Sequence, residues 1–371
     1  MEKEKEGMAY KDFVDYDNMD PFKRLAQQAA RTTTSNLKKN YGFKGVEESR
    51  GESVYLTDLR DFYLAHVEEG LGTKNLVADA MYKLTGKSYY NQIAQDTVAM
   101  IVNDMITLGA VPISVAMHLA VGSSDWFKDE KRCSDLIEGW KKSCDLAGCI
   151  WAGGETPTLK DTFLPNAVVL AGSATGIIRP KSRMLSPDKI RSDDAIVLLS
   201  SSGIHANGLT MAREIAKKTG YDAKLSDGRM YGEALLDPTC IYVQFIDDCL
   251  NSGADIHYTV NITGHGWRKL MRAPQPFAYI LSHIFEPQPV FQFIQKHGPV
   301  SDRAAYADLN MGAGFAIYVS RSDVGKIWDV AHARSRPFEV LLAGHVEASA
   351  NKKVVITEKN LEFGGETLGV R

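Results

Sequence analysis

One stretch near the middle of the chain combines an apolar strand, a glycine-bounded turn and the start of a helix. The run Ala195–Leu199 is apolar, residues 200–210 read Ser-Ser-Ser-Gly-Ile-His-Ala-Asn-Gly-Leu-Thr, and a helical pattern follows over Met211–Lys218. Glycine permits a tight turn, and the free N–H groups at a helix N-terminus attract anions. The stretch therefore predicts a ligand that carries phosphate. Its two glycines have P-loop spacing, but leucine stands where that motif requires lysine, which argues against an ordinary P-loop NTPase.

Two polar side chains in this turn each have two interpretations. His205 either gives a proton or a hydrogen bond to a ligand, or it is a turn residue whose ring is satisfied by the backbone. Asn207 either contacts the ligand or caps the following helix with no ligand at all. If a phosphate binds between Gly203 and Gly208, His205 and Asn207 must help in place of the missing lysine.

The alternation of strand, loop and helix runs through the whole chain. Short apolar runs typical of strands alternate with longer periodic runs typical of helices, which favours an α/β or α+β fold. The first helix is predicted over residues 21–38, starting at Asp20-Pro21, and a long helix over residues 91–108. Residues 179–194 are polar, contain two prolines and lack an apolar period. They predict a boundary between an N-terminal domain, residues 1–180, and a C-terminal domain, residues 181–371.

Composition and charge exclude several classes of protein. The 371 residues are 44% hydrophobic with a formal net charge of −3, which suits two packed cores and gives no basic surface for nucleic acid. The N-terminus reads Met-Glu-Lys-Glu-Lys-Glu, unlike a signal peptide, and no apolar run reaches the ~18 residues of a transmembrane helix. The five cysteines contain no Cys-x-x-Cys pair, so we expect reduced core thiols. These features predict a cytoplasmic protein with neither nucleic-acid nor membrane partners.

The long helix over residues 91–108 is apolar around most of its circumference. Its polar side chains fall within one narrow band, with Asp104 off to one side. The members of the band are Gln92, Asp96, Asn103 and Thr107. The band is either a solvated stripe or a group of carboxylates that holds Mg²⁺, an ion that prefers oxygen ligands and keeps positions for phosphates.

Three glycine loops add candidate ligands. Residues 69–74 read Glu-Gly-Leu-Gly-Thr-Lys and offer a carboxylate, a hydroxyl and a cation suited to a nucleotide with a metal. Glu155 follows two glycines after an apolar strand, where side chains often project into a cleft. Residues 263–266 read Thr-Gly-His-Gly. Each loop, taken alone, is equally well explained as an ordinary turn.

Taken together and in order, these loops resemble the aminoimidazole ribonucleotide synthetase family, also called phosphoribosylformylglycinamidine cyclo-ligase. The similarity covers most of the chain, and seven matching segments in register are strongly specific where one would not be. The segments are Tyr10-Lys11-Asp12 with Asp15 and Asp17, Gly70-Leu71-Gly72-Thr73-Lys74, Asp96 with 98–100 and 102–104, Gly153-Gly154-Glu155-Thr156, Ser202–Gly208, Leu236–Tyr242 and Asn310–Gly314.

The resemblance implies a fold, partners and a reaction. The N-terminal domains of a homodimer would pair their strands into a barrel and bind ATP and Mg²⁺, and a C-terminal α/β domain would close over a ribonucleotide substrate. The reaction would be ATP-dependent ring closure of formylglycinamidine ribonucleotide to aminoimidazole ribonucleotide in purine biosynthesis, with release of ADP and phosphate. ATP would activate the amide oxygen, and the neighbouring amine would then close the ring.

The resemblance also implies roles for individual residues. The catalytic residues would be Asp96, His205 and Lys74. The nucleotide would be bound by Glu69, Gly70, Gly72, Thr73, Lys74, Asn103, Asp104 and Glu155. The metal ligands would be Asp96, Asp104 and Glu155. The ribonucleotide would contact Gly203, His205, Asn207, Gly208 and Thr263.

The chain departs from the family pattern at three places. Glu69 replaces an aspartate, which lengthens a possible metal ligand by one methylene. The glycine-rich segment is reduced to Asn40–Gly51, so a lid over the nucleotide is either lost or rebuilt. His265 replaces a glycine and adds a side chain where backbone would approach the substrate. The departures predict altered substrate handling, and they keep open a divergent homologue that binds a nucleotide without catalysis.

Overall fold

The computed structural model describes residue 8, residue 13 and residues 16–368, with the backbone alone described at Tyr16 and Asp17. Of the N-terminal motif, Tyr10, Lys11, Asp12 and Asp15 lie outside the described residues. The helices are α1 Tyr16–Thr33, α2 Ser35–Tyr41, α3 Lys74–Thr85, α4 Tyr90–Ile106, α5 Glu130–Ala147, α6 Leu209–Thr219, α7 Tyr231–Leu235, α8 Val243–Asn251, α9 Pro289–His297, α10 Asp302–Asp308 and α11 Val324–His332. The strands are β1 Lys44–Gly45, β2 Tyr55–Asp58, β3 Tyr63–Gly70, β4 Val111–Val121, β5 Ile150–Glu155, β6 Val168–Ile178, β7 Ala195–Ser200, β8 Ile256–Asn261, β9 Phe277–Leu281, β10 Ala313–Val319, β11 Val340–Ala348, β12 Lys353–Ile356 and β13 Leu361–Gly364.

The first sheet has six strands in the order β1-β2-β3-β6-β4-β5. All neighbours are antiparallel except β4 and β5. Strand β6 alternates buried and less buried side chains along most of its length, as expected for a strand with one face on the core. The buried face packs against α4, and α5 lies against α4 in turn.

Helix α4 is buried on most sides, as its sequence predicts. Ile93, Val98 and Ile101 are fully buried, and burying each such side chain stabilises the fold by roughly 1.5–3 kcal/mol. Gly139 of α5 permits the close contact between the two helices, because a Cβ atom there would lie 2.5 Å from the Cα atom of Asn91.

The second sheet has seven strands in the order β13-β12-β9-β11-β7-β10-β8. Strand β10 lies antiparallel to β7 on one side and to β8 on the other, so β7 and β8 run in the same direction. Their carboxyl ends therefore meet at one edge of the sheet, which brings the loops after Ser200 and after Asn261 to the same side. The chain thus has the predicted mixed α/β fold, with one sheet on each side of residues 179–194.

The first helix differs from its prediction. It begins at Tyr16 and runs through Pro21, and a second helix follows it from Ser35. Pro21 therefore lies inside the helix, where it cannot donate a backbone hydrogen bond. Within residues 16–368, the structure contains no helix long and apolar enough to cross a bilayer.

Candidate functional site

A cavity of about 400 Å³ opens between the two halves of the chain. One wall carries carboxylates from the first half, Glu52, Glu69 and Asp104. The other carries cations, and the loop after β8 joins the two walls. Facing acidic and basic walls in one cavity can hold an anionic ligand together with a divalent cation.

Glu69 and Asp104 form a close carboxylate pair. Glu69 lies near the end of β3, and Asp104 lies in the last turn of α4, where its Oδ1 atom accepts a hydrogen bond of 2.7 Å from Nδ2 of Asn261. Burial, together with repulsion from Asp104, raises the pKa of Glu69 to about 7. A divalent cation between the two carboxylates would relieve that repulsion, so this pair fits Mg²⁺, which takes one or two carboxylates and completes its shell with water and phosphate.

Lys269 and Arg272 line the basic wall on one short 3₁₀ helix, Gly266–Met271, and the residue after it. Nζ of Lys269 donates to Oγ1 of Thr263 at 2.5 Å and to the carbonyl of Asn261 at 3.3 Å. Burial lowers the pKa of Lys269 to about 8, an effect that Asp104 opposes. Arg272 instead holds the first half of the chain, through Glu52 at 3.2 Å and the carbonyl of Gly51 at 2.7 Å.

Residues 40–51 lead up to these contacts of Arg272. This is the segment in which the sequence predicts a lost or rebuilt lid. It contains the end of α2, the short strand β1 and a 3₁₀ turn at Glu47–Ser49. Arg272 also donates to Oγ of Ser53 at 3.0 Å, and the hydroxyl of Tyr258 donates to Glu52 at 2.6 Å. The second half therefore fixes the end of this segment at the rim of the cavity.

His265 lines the cavity beside Lys269. Burial and the positive charges of Lys269 and Arg268 lower its pKa to about 4. The ring is therefore neutral near pH 7 and occupies space that a glycine would leave open.

Lys74 and Asp96 lie outside the cavity lining and join the two halves of the chain. The three N–H groups of Lys74 point to Oδ1 of Asp96 at 2.9 Å, the carbonyl of His205 at 2.9 Å and the carbonyl of Asp237 at 2.8 Å. Asp96 also accepts from the backbone N–H of Thr239 at 2.8 Å and from its hydroxyl. Both side chains are fully buried, and the ammonium has no donor left for a ligand.

Asn103 continues the same contact two helical turns after Asp96. Its Nδ2 donates to the carbonyl of Cys240 at 2.8 Å, and its Oδ1 accepts from the N–H of Tyr242 at 2.9 Å. Two members of the polar band, Asp96 and Asn103, are thus buried and bind residues 239–242, and they do not form a solvated stripe or a group of carboxylates. Asp104, off to one side of the band, is the carboxylate of α4 that reaches the cavity.

The turn after β7 presents only part of its side chains to the cavity. His205 is buried, with φ of 59°, and its Nε2 accepts from the N–H of Ser202 at 3.2 Å. Gly203 and Gly208 also have positive φ, and Gly208 itself precedes α6 as the N-cap, so Asn207 is not the cap. Of the predicted ribonucleotide contacts, Asn207 and Thr263 line the cavity, whereas Gly203, His205 and Gly208 do not.

The buried ring of His205 makes the stability of the protein sensitive to acid. Burial, with the charge of Lys74, lowers its pKa to about 3, against roughly 6.5 in the unfolded chain. The unfolded state therefore binds the extra proton below pH 6.5, and stability is lost as the pH falls. Between pH 7 and pH 5, the unfolding free energy of the wild type should fall by about 2 kcal/mol more than that of His205→Gln. Urea titration at the two pH values measures the difference.

His283 provides the control, because its side chain is 71% exposed. His283→Gln changes an exposed ring and should leave the unfolding free energy at pH 7 within about 0.5 kcal/mol of wild type. An identical pH dependence in wild type and His205→Gln would contradict the assignment of a neutral buried ring.

The remaining predicted residues are distributed around the first sheet. Glu155 is exposed on the outer strand β5, three strands from β3, or roughly 14 Å at the usual strand spacing. Gly70, Gly72 and Thr73 connect β3 to α3, and Oγ1 of Thr73 is buried without a hydrogen-bond partner among the described residues. The structure therefore does not bring Asp96, Asp104 and Glu155 together, and residues 16–368 hold no cluster of three or more side chains suited to a metal.

Sequence reasoning did not single out Glu52, Lys269 and Arg272. Lys269 and Arg272 are three residues apart just after the loop of residues 263–266, which places both on one face of a helical turn. Two basic residues at this spacing after a glycine loop form a sequence pattern that could have indicated Lys269 and Arg272. No sequence pattern indicated Glu52, because its partner Arg272 is more than two hundred residues away in the chain.

A family model and curated relatives identify one family, and solved structures share the fold. A family model described as AIR synthase related protein, N-terminal domain, matches residues 61–178. The phosphoribosylformylglycinamidine cyclo-ligase of Methanocaldococcus jannaschii is 34% identical over 79% of this chain and 82% of its own length. Among solved structures, a chain of a HypE-HypF complex has a TM-score of 0.60 at 14% identity, covering 89% of this chain and 97% of that chain. ThiL complexed with AMPPCP and TMP has a TM-score of 0.56 at 12% identity, covering 84% and 89%. The last two likenesses concern the fold alone.

Proposed function

This chain belongs to the aminoimidazole ribonucleotide synthetase, or phosphoribosylformylglycinamidine cyclo-ligase, family, and on that premise we propose that it is an ATP-dependent ligase of purine biosynthesis. The reaction proposed is ring closure of formylglycinamidine ribonucleotide to aminoimidazole ribonucleotide. The γ-phosphoryl group of ATP passes to the formyl amide oxygen, the amidine nitrogen attacks the same carbon, and the C–O bond breaks to release phosphate beside ADP. The observation that carries the proposal is the cavity between the halves, with its facing carboxylate and cationic walls.

The acidic wall supplies the metal side of the proposed site. Glu69 and Asp104 would hold Mg²⁺, and Asn261 keeps Asp104 oriented through its hydrogen bond. Bound there with ATP, the ion would neutralise charge on the phosphates. Glu69 and Asp104 lie close enough to Lys269 that both carboxylates influence its pKa. The metal side of the proposed site therefore adjoins the cationic wall.

The ribonucleotide side of the proposed site uses the loops at the carboxyl ends of β7 and β8. Asn207 offers an amide and Thr263 a hydroxyl at the cavity wall, and these suit the hydroxyls and phosphate of a ribonucleotide. Holding the formyl carbon close to the amidine nitrogen lowers the entropic barrier to ring closure. Lys74, Asp96 and His205 contribute in this proposal by fixing the loops that carry Asn207 and the backbone of residues 239–242.

We also propose a homodimer formed through the first sheet. Its strands expose apolar side chains that a monomer leaves in water: Ile113 at 45%, Ile150 at 63% and Val169 at 41%. Strand β5 is an outer strand with an unpaired edge among the described residues. Glu155 lies on that strand, so a metal or nucleotide role for Glu155 would require such an assembly.

The decisive experiment measures ADP release on addition of formylglycinamidine ribonucleotide to the protein with ATP and Mg²⁺. The proposal expects ADP formation that depends on the substrate, with aminoimidazole ribonucleotide as the second product. A second candidate, a non-catalytic homologue that binds a nucleotide, is favoured by His265 in the cavity and by the altered segment 40–51. Calorimetric binding of ATP with Mg²⁺, without substrate-dependent ADP, would support that candidate and contradict the ligase.

A further inference from the structure

The cavity contains a lysine that the sequence motifs do not indicate. Lys74, the lysine of the glycine loop, is fully buried and gives all its donors to Asp96 and to two backbone carbonyls. It cannot turn toward a ligand without leaving Asp96 as an unpaired buried charge, which costs several kcal/mol. Whatever cation meets a phosphoryl group in this cavity therefore has to come from another element.

We propose that Lys269 is the catalytic cation that contacts the transferring phosphoryl group. This inference rests on the proposed function of the cavity and deepens it by naming the residue. Three cations line the cavity: Lys23, Lys269 and Arg272. Lys23 pairs with Asp20 at 3.3 Å, and Arg272 pairs with Glu52 at 3.2 Å. Among the described residues Lys269 alone of the three has no carboxylate within 4 Å of its charged nitrogen.

The hydrogen bonds of Lys269 leave one donor for a ligand. An ammonium group has three N–H donors, and two of them reach Oγ1 of Thr263 and the carbonyl of Asn261. Asn261 contacts both walls, because its side chain donates to Asp104 while its carbonyl accepts from Lys269. One residue thus sets the position of the cation relative to the carboxylate pair. A fixed positive charge beside a metal-binding pair is what stabilises charge on a phosphoryl group in transfer.

The test compares Lys269→Met, Lys269→Arg and, as a matched control, Lys296→Met, which removes an exposed lysine of the same half. We expect Lys269→Met to lower kcat by about a hundredfold or more, with a smaller change in the KM for ATP, because the contact forms mainly in the transition state. Lys269→Arg should recover part of kcat, since it keeps the charge. Lys296→Met should match wild type, and all three variants should keep the wild-type thermal midpoint. A folded Lys269→Met protein with kcat within threefold of wild type would overturn the inference.

A second measurement separates this inference from the proposed function. Aluminium fluoride with ADP and Mg²⁺ imitates a phosphoryl group in transfer and needs no ribonucleotide. We expect it to tighten ADP binding at least about tenfold in wild type and not in Lys269→Met. If wild type releases no ADP with formylglycinamidine ribonucleotide but this difference persists, the proposed function fails and the role of Lys269 stands. Equal tightening in both proteins, or none in wild type, would contradict the role of Lys269.

Discussion

Asp104→Asn lowers turnover by at least about a hundredfold while the protein remains folded. The substitution keeps the size of the side chain, and the new amide oxygen can still accept the hydrogen bond that Asn261 now gives to Asp104. It removes one carboxylate of the Glu69–Asp104 pair, so the Mg²⁺ proposed to accompany ATP would lose a charged ligand, an effect of several kcal/mol on the transition state. ADP release measures turnover, and circular dichroism with a thermal melt measures folding.

Asp125→Asn is the matched control for this variant. Asp125 is 74% exposed and pairs with Lys128 on the surface, so its loss should leave turnover unchanged. Calorimetry with Mg²⁺ and ATP adds an independent measurement, in which Asp104→Asn should bind the metal nucleotide more weakly. Turnover near the wild-type value in a folded Asp104→Asn protein would exclude the acidic wall as the metal site.

Lys74→Met destabilises the protein by about 3–5 kcal/mol. The substitution leaves Asp96 as a buried charge without its partner, and it also leaves the carbonyls of His205 and Asp237 without a donor. Asp96→Asn should destabilise for the reciprocal reason. Loss of turnover in either variant is therefore expected to come with loss of stability, in contrast to Asp104→Asn. Urea unfolding monitored by tryptophan fluorescence gives the free energy.

An exposed ion pair provides the control for the effect of burial on the cost of breaking the Lys74–Asp96 pair. Lys141 and Asp145 lie 2.8 Å apart on α5, each 65% exposed, and Lys141→Met should cost less than about 1 kcal/mol. Combining Lys74→Met with Asp96→Asn should cost less than the sum of the two single changes, because no unpaired charge remains. Additive costs would mean that the two side chains do not stabilise each other as the structure indicates.

Helix α4 shows where sequence reasoning succeeds and where it stops. Its apolar periodicity predicts a buried helix, and that prediction is confirmed, because the period depends only on residues within the helix. The partner of its polar band cannot be read from the same window. Asp96 and Asn103 bind residues 239–242, well over a hundred residues away, and only the packing of the two halves reveals it. The displacement of Asp104 from the band was visible in the sequence and is what places it at the cavity.

The glycine turn after β7 marks a second limit. Its spacing correctly predicts a tight turn between strand β7 and a helix, because glycine and positive φ angles go together. The pattern does not say which side chains of the turn face outward. Backbone conformation turns His205 into the core and Asn207 toward the cavity, so two neighbouring candidates with similar chemistry have different environments.

The ion pair between Lys74 and Asp96 also restricts how a ligand reaches the cavity. Rotating the two halves apart would expose and break this pair, together with the contacts of Asn103, at a cost of several kcal/mol. The halves are therefore expected to stay together through a catalytic cycle. We therefore expect ligands to enter and leave at the rim of the cavity. Arg272 binds residues 51–53 there, and the largely exposed helix α1 precedes them in the chain. The rate of nucleotide exchange would then be set by that N-terminal segment and not by an interdomain hinge.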